Sequence, residues 1–454
     1  MKLDRKYVVF ALLIIFFVIA ERIHLFASLF DLNHPQSIAL SILFIAAFLW
    51  VSEWVPLYIT SLIILFLQVS WLLPVMNPSA GKAERQAFLS PFFSDIILLF
   101  MGGFVLAAML HKYNLDNRIA NWLLKKTGTN PARILFGIMC VSAILSMWMS
   151  NTATTAMMFA IILPIIANIP ETNLFSKGLA LSIPFACNLG GLGTPIGTPP
   201  NAIAMNYMVE KGINISFGEW MLAAVPLMVV LMIIVWAILL KIYPPGDLKI
   251  SIAEIQSSKL TAEHWLIIGL FCLTIIGWLT TKQHGFSIGT VSLIPVIGTF
   301  GLGLLEVRDF KSLPWDVLFM VGGGVCLGVG LKQSGLTQVI VDVIPLQIGF
   351  VSVLIAFLCL TAVMTTFMSN TATANLLIPI AISLDFQASL FVIPIAMVCS
   401  TAMALPISTP PNAIAFGSGL LESKDMIRPG ILITIVSIII ILGLGVFYIP
   451  LLGI

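Results

Sequence analysis

The chain has 454 residues, 59% of them hydrophobic and 9% charged, with a formal net charge of +2. Soluble globular chains carry roughly 25% charged residues, so this composition excludes a soluble enzyme. No basic patch is dense enough for nucleic acid.

Apolar stretches approach the length of about 20 residues that crosses a bilayer as helix. The first covers residues 7–26 behind Lys2, Arg5 and Lys6, and no convincing cleavage site follows, so it reads as a retained helix. Further spans are expected near 36–53, 56–76 and 94–112. Residues 132–168 read as a re-entrant hairpin, and 178–210 as a broken helix interrupted from Gly190 to Pro200. A span near 219–242 follows, then a polar linker over 244–263 between the two halves. The second half repeats this order: spans near 264–281, 287–305 and 314–333, a hairpin over 347–384, a broken helix over 388–421 interrupted from Pro406 to Pro411, and a last span over 430–453. The fold class expected is an all-α polytopic membrane protein with two inverted-topology repeats. It has about eleven transmembrane helices, two re-entrant hairpins and two broken helices.

The repeat is written in the residues. Ser150-Asn151-Thr152-Ala153-Thr154 recurs as Ser369-Asn370-Thr371-Ala372-Thr373, an offset of 219. Thr-Pro-Pro-Asn-Ala-Ile-Ala occurs from Thr198 and again from Thr409, an offset of 211. Asp95–Leu115 aligns with Asp316–Leu336 at an offset of 221. Three landmarks at nearly one offset argue for duplication. With the N-terminus in the cytoplasm and each hairpin returning to its own side, 16 of the 22 Lys and Arg face inward, as the positive-inside rule asks. Only Arg22, Lys82, Arg85, Lys211, Lys282 and Lys332 remain outside, and the hairpins then enter from opposite faces. Compact loops and the lack of a targeting segment suggest a bacterial inner membrane.

Irregular backbone at membrane depth is tolerated where it lines a cavity or is buried in protein, so the tips and breaks are expected to share one cavity. Ser150, Asn151 and Thr152 are N-cap types ahead of a helix from Ala153, and Ser369, Asn370 and Thr371 stand likewise ahead of Ala372. The free N–H groups of a helix start attract an anion, so two tips facing one cavity suit a small dianion. The same blocks supply hydroxyl, amide and carbonyl oxygens suited to Na⁺, with Gly190, Gly191, Gly193 and Gly197 allowing unwound backbone. None of the four blocks contains Asp, Glu or His, which favours Na⁺ over H⁺ as the driving ion. The Gly102-Gly103 and Gly322-Gly323-Gly324 runs read as close helix packing. Asp95 and Asp316 read as helix caps or interface residues. The six cysteines lie singly in apolar segments and read as buried thiols. An intramembrane enzyme would need a nucleophile–base pair or metal cluster, which the repeats lack, and an anion channel would not need a closed two-tip site.

At Ser150-Asn151-Thr152, Ser369-Asn370-Thr371, both Thr-Pro-Pro-Asn-Ala-Ile blocks and Leu99-Phe100-Met101-Gly102-Gly103, the chain resembles the divalent anion:sodium symporter family, the INDY-type dicarboxylate carriers. The resemblance covers nearly the whole chain. It implies a homodimer with scaffold helices at 1–130 and 264–345, and a mobile transport domain at 131–243 and 346–454 that moves as an elevator. It implies one sodium site at Ser146, Ser150, Asn151 and the backbone near Gly197, and another at Thr365, the Met368 backbone, Asn370 and the backbone near Ser408. Substrate carboxylates would meet Asn151, Thr152, Thr198, Asn370, Thr371 and Thr409, with Pro410 alongside. Thr366 stands where many members carry an acidic residue. The expected function is Na⁺-coupled uptake of a C4-dicarboxylate such as succinate, malate or fumarate. A sodium:sulfate or sodium:citrate symporter and a sodium-independent exchanger are the alternatives.

Overall fold

The structure is a computed structural model and describes residues 16–17, 19–20, 23–170, 172–248, 250, 259–384 and 386–453. Most of the expected first helix and most of the linker's centre lie outside the described residues. Every regular element among the described residues is helical. Eight of these helices are long and apolar enough to cross a membrane. They include Phe350–Phe367, the first arm of the second hairpin, so length alone does not separate an arm from a span.

Helix starts follow local side-chain chemistry. Asn33 and Gln36 close a capping box ahead of His34–Ser52, and Ser216 and Glu219 do the same ahead of Phe217–Ile242. Asn130 caps Pro131–Ser146 by accepting from the amides of Ala132 and Arg133. Leu57–Leu67 runs through a π-helical turn at Gln68–Leu72 into Leu73–Met76.

The first hairpin has arms Pro131–Ser146 and Asn151–Ile166, and the second has arms Phe350–Phe367 and Asn370–Ala381. The broken helices are Phe175–Leu192 with Pro199–Glu210, and Ala388–Cys399 with Pro410–Gly417. The first break is shorter than the expected Gly190–Pro200, because Gly190 and Gly191 stay helical. Gly190 is there for close approach, since a Cβ on it would lie 2.6 Å from the Ala143 Cα of the first hairpin arm. The second break begins at Ser400, earlier than the expected Pro406. Pro199-Pro200 and Pro410-Pro411 open their half-helices in the first turn, where a missing N–H costs nothing.

Each half-helix packs against the other half of the chain. Pro199–Glu210 lies on the second hairpin and Ala388–Cys399, while Pro410–Gly417 lies on the first hairpin and Phe175–Leu192. Helix Trp315–Gln333 serves three neighbours through its glycines. A Cβ on Gly323 would meet Ser61, and one on Gly330 would meet Gln68, both on the helix that begins at Leu57. A Cβ on Gly324 would meet Asn375, and one on Gly328 would meet Tyr207. The expected close packing at Gly102 and Gly103 is found too, against Ser292 and Ile196.

Polar contacts gather the loops into two ends. At one end Lys112 pairs with Asp309 at 2.7 Å, Lys177 with Asp425 at 2.7 Å, and Asn173 donates to the Pro245 carbonyl. At the other, Lys282 pairs with Glu219, and Ser287 donates to Asp95 at 2.9 Å. Asp95 sits in the first turn of its helix behind the N-cap Ser94, and its carboxylate serves the contact with Ser287. These contacts never join a loop expected inside to one expected outside.

Candidate functional site: two hairpin tips and two helix breaks

Ser150 begins the second arm of the first hairpin, and its hydroxyl accepts from the Ala153 amide at 3.2 Å. Ser369 does the same for Ala372 at 3.2 Å. Both serines are thus N-caps, and the Asn and Thr after each stand in the first helical turn.

Just behind each tip three oxygens converge. Ser146 Oγ lies 2.5 Å from Asn151 Oδ1 and 2.9 Å from the Cys187 carbonyl oxygen. Thr365 Oγ1 lies 2.7 Å from Asn370 Oδ1 and 2.6 Å from the Cys399 carbonyl oxygen. A hydroxyl has one hydrogen to donate, so it satisfies one of its two acceptors and leaves the other lone pair facing it. Both hydroxyls are buried, and the cluster is therefore electron-rich and short of donors. That is a donor set for a hard monovalent cation, built from neutral oxygens.

Gly197 is brought to the same place. A Cβ on Gly191 would lie 3.0 Å from both amide atoms of Asn151 and 3.1 Å from the Gly197 carbonyl oxygen. Ser408 donates to the Thr366 carbonyl at 2.8 Å, which ties the second break to the second tip. Thr366 itself donates back to the Ala362 carbonyl at 2.7 Å, so its hydroxyl is spent within its own helix. The Met368 amide is likewise taken by the Met364 carbonyl, and its carbonyl is the group left for a ligand role.

The breaks are held open by asparagines. Asn201 Nδ2 donates to the carbonyls of Gly191 at 2.9 Å and Thr194 at 2.8 Å. Asn412 Nδ2 reaches the carbonyls of Leu405 at 3.0 Å and Ala402 at 3.4 Å. Both side chains are buried, and both sit at the same place in the Thr-Pro-Pro-Asn block. They occupy carbonyls that the unwinding would otherwise strand.

At the breaks, side-chain bonds cross between the halves. Asn188 Nδ2 lies 3.3 Å from Thr409 Oγ1, and Ser400 Oγ lies 3.4 Å from Thr198 Oγ1. Asn188 Nδ2 also lies 3.3 Å from Asn412 Oδ1. Asn188 follows Cys187 as Ser400 follows Cys399, so the bonds to Thr409 and Thr198 are repeat-related copies of each other. Thr198 and Thr409, both expected at the substrate, are buried at this crossing. Pro410 is the first residue of the half-helix that Thr409 caps.

The tips differ in environment. Thr152 and Ala156 are exposed, whereas their counterparts Thr371 and Asn375 are buried. Asn375 donates to the Met320 carbonyl and Tyr207 to the Gly324 carbonyl, so the second hairpin side is docked onto helix Trp315–Gln333.

Sequence reasoning missed Asn188 and Ser400, the Cys187 and Cys399 carbonyls, and the tasks of Asn201 and Asn412. Isolated polar residues in apolar helices signalled the first pair, and the repeated asparagine after Pro-Pro signalled the last. Nothing in the sequence marks a backbone carbonyl.

The chain matches the family described as sodium:sulfate symporter transmembrane region over residues 6–454. It belongs to that family. Membership makes it a transport protein rather than an enzyme, in a family named for coupling an anion to sodium. It is 33% identical over 447 residues to the sodium-dependent dicarboxylate transporter SdcS of Staphylococcus saprophyticus, covering 88% of this chain and 84% of that protein. It is 32% identical to the protein of the same name from Staphylococcus aureus strain USA300, covering 92% of this chain and 87% of that one. An uncharacterized transporter of Schizosaccharomyces pombe is 32% identical over 91% of this chain, which spans only 50% of that relative's length.

Proposed function

We propose that the chain is a secondary active symporter that moves a small dianion, a C4-dicarboxylate such as succinate, with Na⁺ as the coupling ion. The observation that carries this reading is the doubled oxygen cluster at Ser146, Asn151 and the Cys187 carbonyl, and at Thr365, Asn370 and the Cys399 carbonyl. Sodium in each cluster would satisfy the lone pairs that one hydroxyl hydrogen cannot. Ser150, Gly197, the Met368 carbonyl and Ser408 complete the two ligand sets. The dianion would sit between the tips, on Asn151, Thr152, Thr198, Asn370, Thr371 and Thr409 beside Pro410. Two sodium ions offset its charge before it crosses hydrocarbon.

The two halves are read as inverted repeats, supported by the reciprocal packing of each half-helix on the other half and by the paired bonds at Asn188–Thr409 and Ser400–Thr198. Residues 131–243 and 346–454 form the mobile unit, and 1–130 and 264–345 form the scaffold and its homodimer contact. The mobile unit moves as an elevator in a bacterial inner membrane with a cytoplasmic N-terminus. Thr152 is exposed and Thr371 buried, while the Ser and Asn of both tips are half-buried, which supports a form open toward the first hairpin's side.

Uptake of radiolabelled succinate into proteoliposomes, with and without an inward Na⁺ gradient, tests the proposal. Accumulation that requires Na⁺ and is blocked by other dicarboxylates supports it. Uptake that needs internal dicarboxylate and ignores Na⁺ refutes the symport. The family description favours sulfate as the second substrate to try, and labelled sulfate taken up in place of succinate would replace the dicarboxylate.

A further inference from the structure

A cavity of about 220 Å³ lies away from the tips, at the far end of the seam between the second hairpin and helix Trp315–Gln333. Its walls come from the end of Pro199–Glu210, the end of Trp315–Gln333, the start of Leu336–Val343 and the base of the second hairpin. Lys211 and Lys332 both line it, with Glu210 as the one carboxylate among the lining residues. Glu210 is held by Asn206 at 2.8 Å, and neither lysine makes an ion pair among the described residues. Two cations facing one carboxylate leave the cavity net positive.

Its neutral groups are also suited to an anion. Helix Leu336–Val343 starts here behind Gly335, which has φ 77° and no side-chain cap; the Leu336 amide donates to Ser334 Oγ at 3.4 Å, and the positive end of the helix faces the cavity through the amides after it. Thr337 lines the cavity, is only 6% exposed, and its hydroxyl has no hydrogen-bond partner. A buried hydroxyl without a partner is costly unless a ligand or water completes it. The Ser383 side of the second hairpin closes the opposite wall. The volume is below the ~300–1,000 Å³ of pockets for drug-sized ligands, and suits a small ion.

We propose that this cavity is a second anion site, for a small carboxylate or sulfate dianion, held by Lys211, Lys332 and the start of helix Leu336–Val343. It differs in kind from the site between the tips, because its positive charge comes from lysines and amides and needs no sodium. It sits on the seam that the elevator reading requires to open, and in that respect rests on the reading above. An anion there bridges the two walls and holds the seam shut, so high anion concentration on that face slows transport.

Equilibrium binding of labelled succinate and of labelled sulfate to the purified full chain, in choline and in sodium buffer, tests this. The expected result is a sodium-independent component that Lys332→Gln or Lys211→Gln weakens tenfold or more, and that Thr337→Val weakens several-fold. Asn151→Ala leaves that component in place while removing the sodium-dependent one. A wild-type chain with no sodium-independent binding, or such binding unchanged in both lysine variants, overturns the proposal. Monodisperse elution and unshifted melting of each variant show that a loss is not misfolding. Absence of sodium-dependent binding, with a lysine-dependent, sodium-independent component intact, refutes the tip site and supports this one.

Discussion

Gly324→Ala is the sharpest perturbation of the seam. A Cβ there would overlap the whole terminal amide of Asn375. Asn375 is buried and bonded to the Met320 carbonyl, so it has little room to yield. Overpacking of this kind costs about 1–3 kcal/mol. The helical gain of Ala over Gly, about 1 kcal/mol, is the same whether the seam is shut or open and cancels between them. The strain, in contrast, belongs to the docked arrangement alone. If the seam opens during transport, the whole about 1–3 kcal/mol shifts the docked-to-undocked equilibrium by about 5–150-fold. Thr371 reports the shift, being 5% exposed in the docked form. In a chain with the six native cysteines replaced, Thr371→Cys is labelled slowly by a membrane-impermeant maleimide. Adding Gly324→Ala raises that rate several-fold or more. Adding Asn375→Ala instead also raises it, by losing a buried bond worth about 1 kcal/mol. Gly324→Ala that lowers the melting temperature and leaves the labelling rate unchanged would refute a seam that opens.

Asn151→Ala and Asn370→Ala each remove an acceptor at one cluster, and each abolishes sodium-dependent succinate uptake while the protein still elutes as a folded species. Asn201→Leu strands the Gly191 and Thr194 carbonyls, and a buried unpaired polar group costs about 1–3 kcal/mol, read as a lower melting temperature. Asn412→Leu does the same at the second break through Ala402 and Leu405. The Glu306 amide and then Lys112 hold the Asp309 carboxyl below the usual carboxylate range. Its stabilising contribution is therefore present above the unfolded value of about 3.9 and lost as pH falls through the lower folded value. Asp309→Asn flattens that acid limb in a melting-temperature series, and an unchanged slope would show the pair to be inert.

Much of the fold was legible because a membrane restricts the choices. Spans, hairpins and the helix starts at Ser150 and Ser369 follow from apolar length and N-cap chemistry. The breaks are less legible, since Gly and Pro read locally as unwinding signals. Gly190 serves close approach to Ala143 and stays helical, while Pro199 and Pro410 start helices. The second break starts at Ser400, a residue with no helix-breaking tendency, because Thr434 donates to the Thr401 carbonyl at 3.0 Å and secures the unwound turn from another helix. That is a tertiary cause, and no local pattern encodes it. At the site, Ser146 meets Asn151 and Thr365 meets Asn370, whereas Ser150 caps its own helix and Ser408 bonds the Thr366 carbonyl. The carbonyls of Cys187 and Cys399 were invisible, because a backbone ligand depends on where the helix lies and not on which residue supplies it.

Under the proposed mechanism, the repeat would let one chain hold two arrangements with one set of contacts. The tips, caps, oxygen clusters and cross-bonds come in matched pairs, so neither half is intrinsically the better docked. Symmetry is broken at residues that do not match. Asn375 corresponds to Ala156 at the tip offset, and Gly324 corresponds to Gly103 at the offset of the preceding helices. The second pair of surfaces therefore has a polar fastening, Asn375 to the Met320 carbonyl, that the first lacks at Ala156. On the proposed mechanism a duplicated scaffold would supply two related resting positions, with this one asparagine biasing the chain toward one. Ala156→Asn should then offer the first hairpin a comparable fastening and reduce the bias. The Thr371→Cys label would become faster and a Thr152→Cys label slower. Movement of only one of the two labels would mean that the bias lies elsewhere than in this pair.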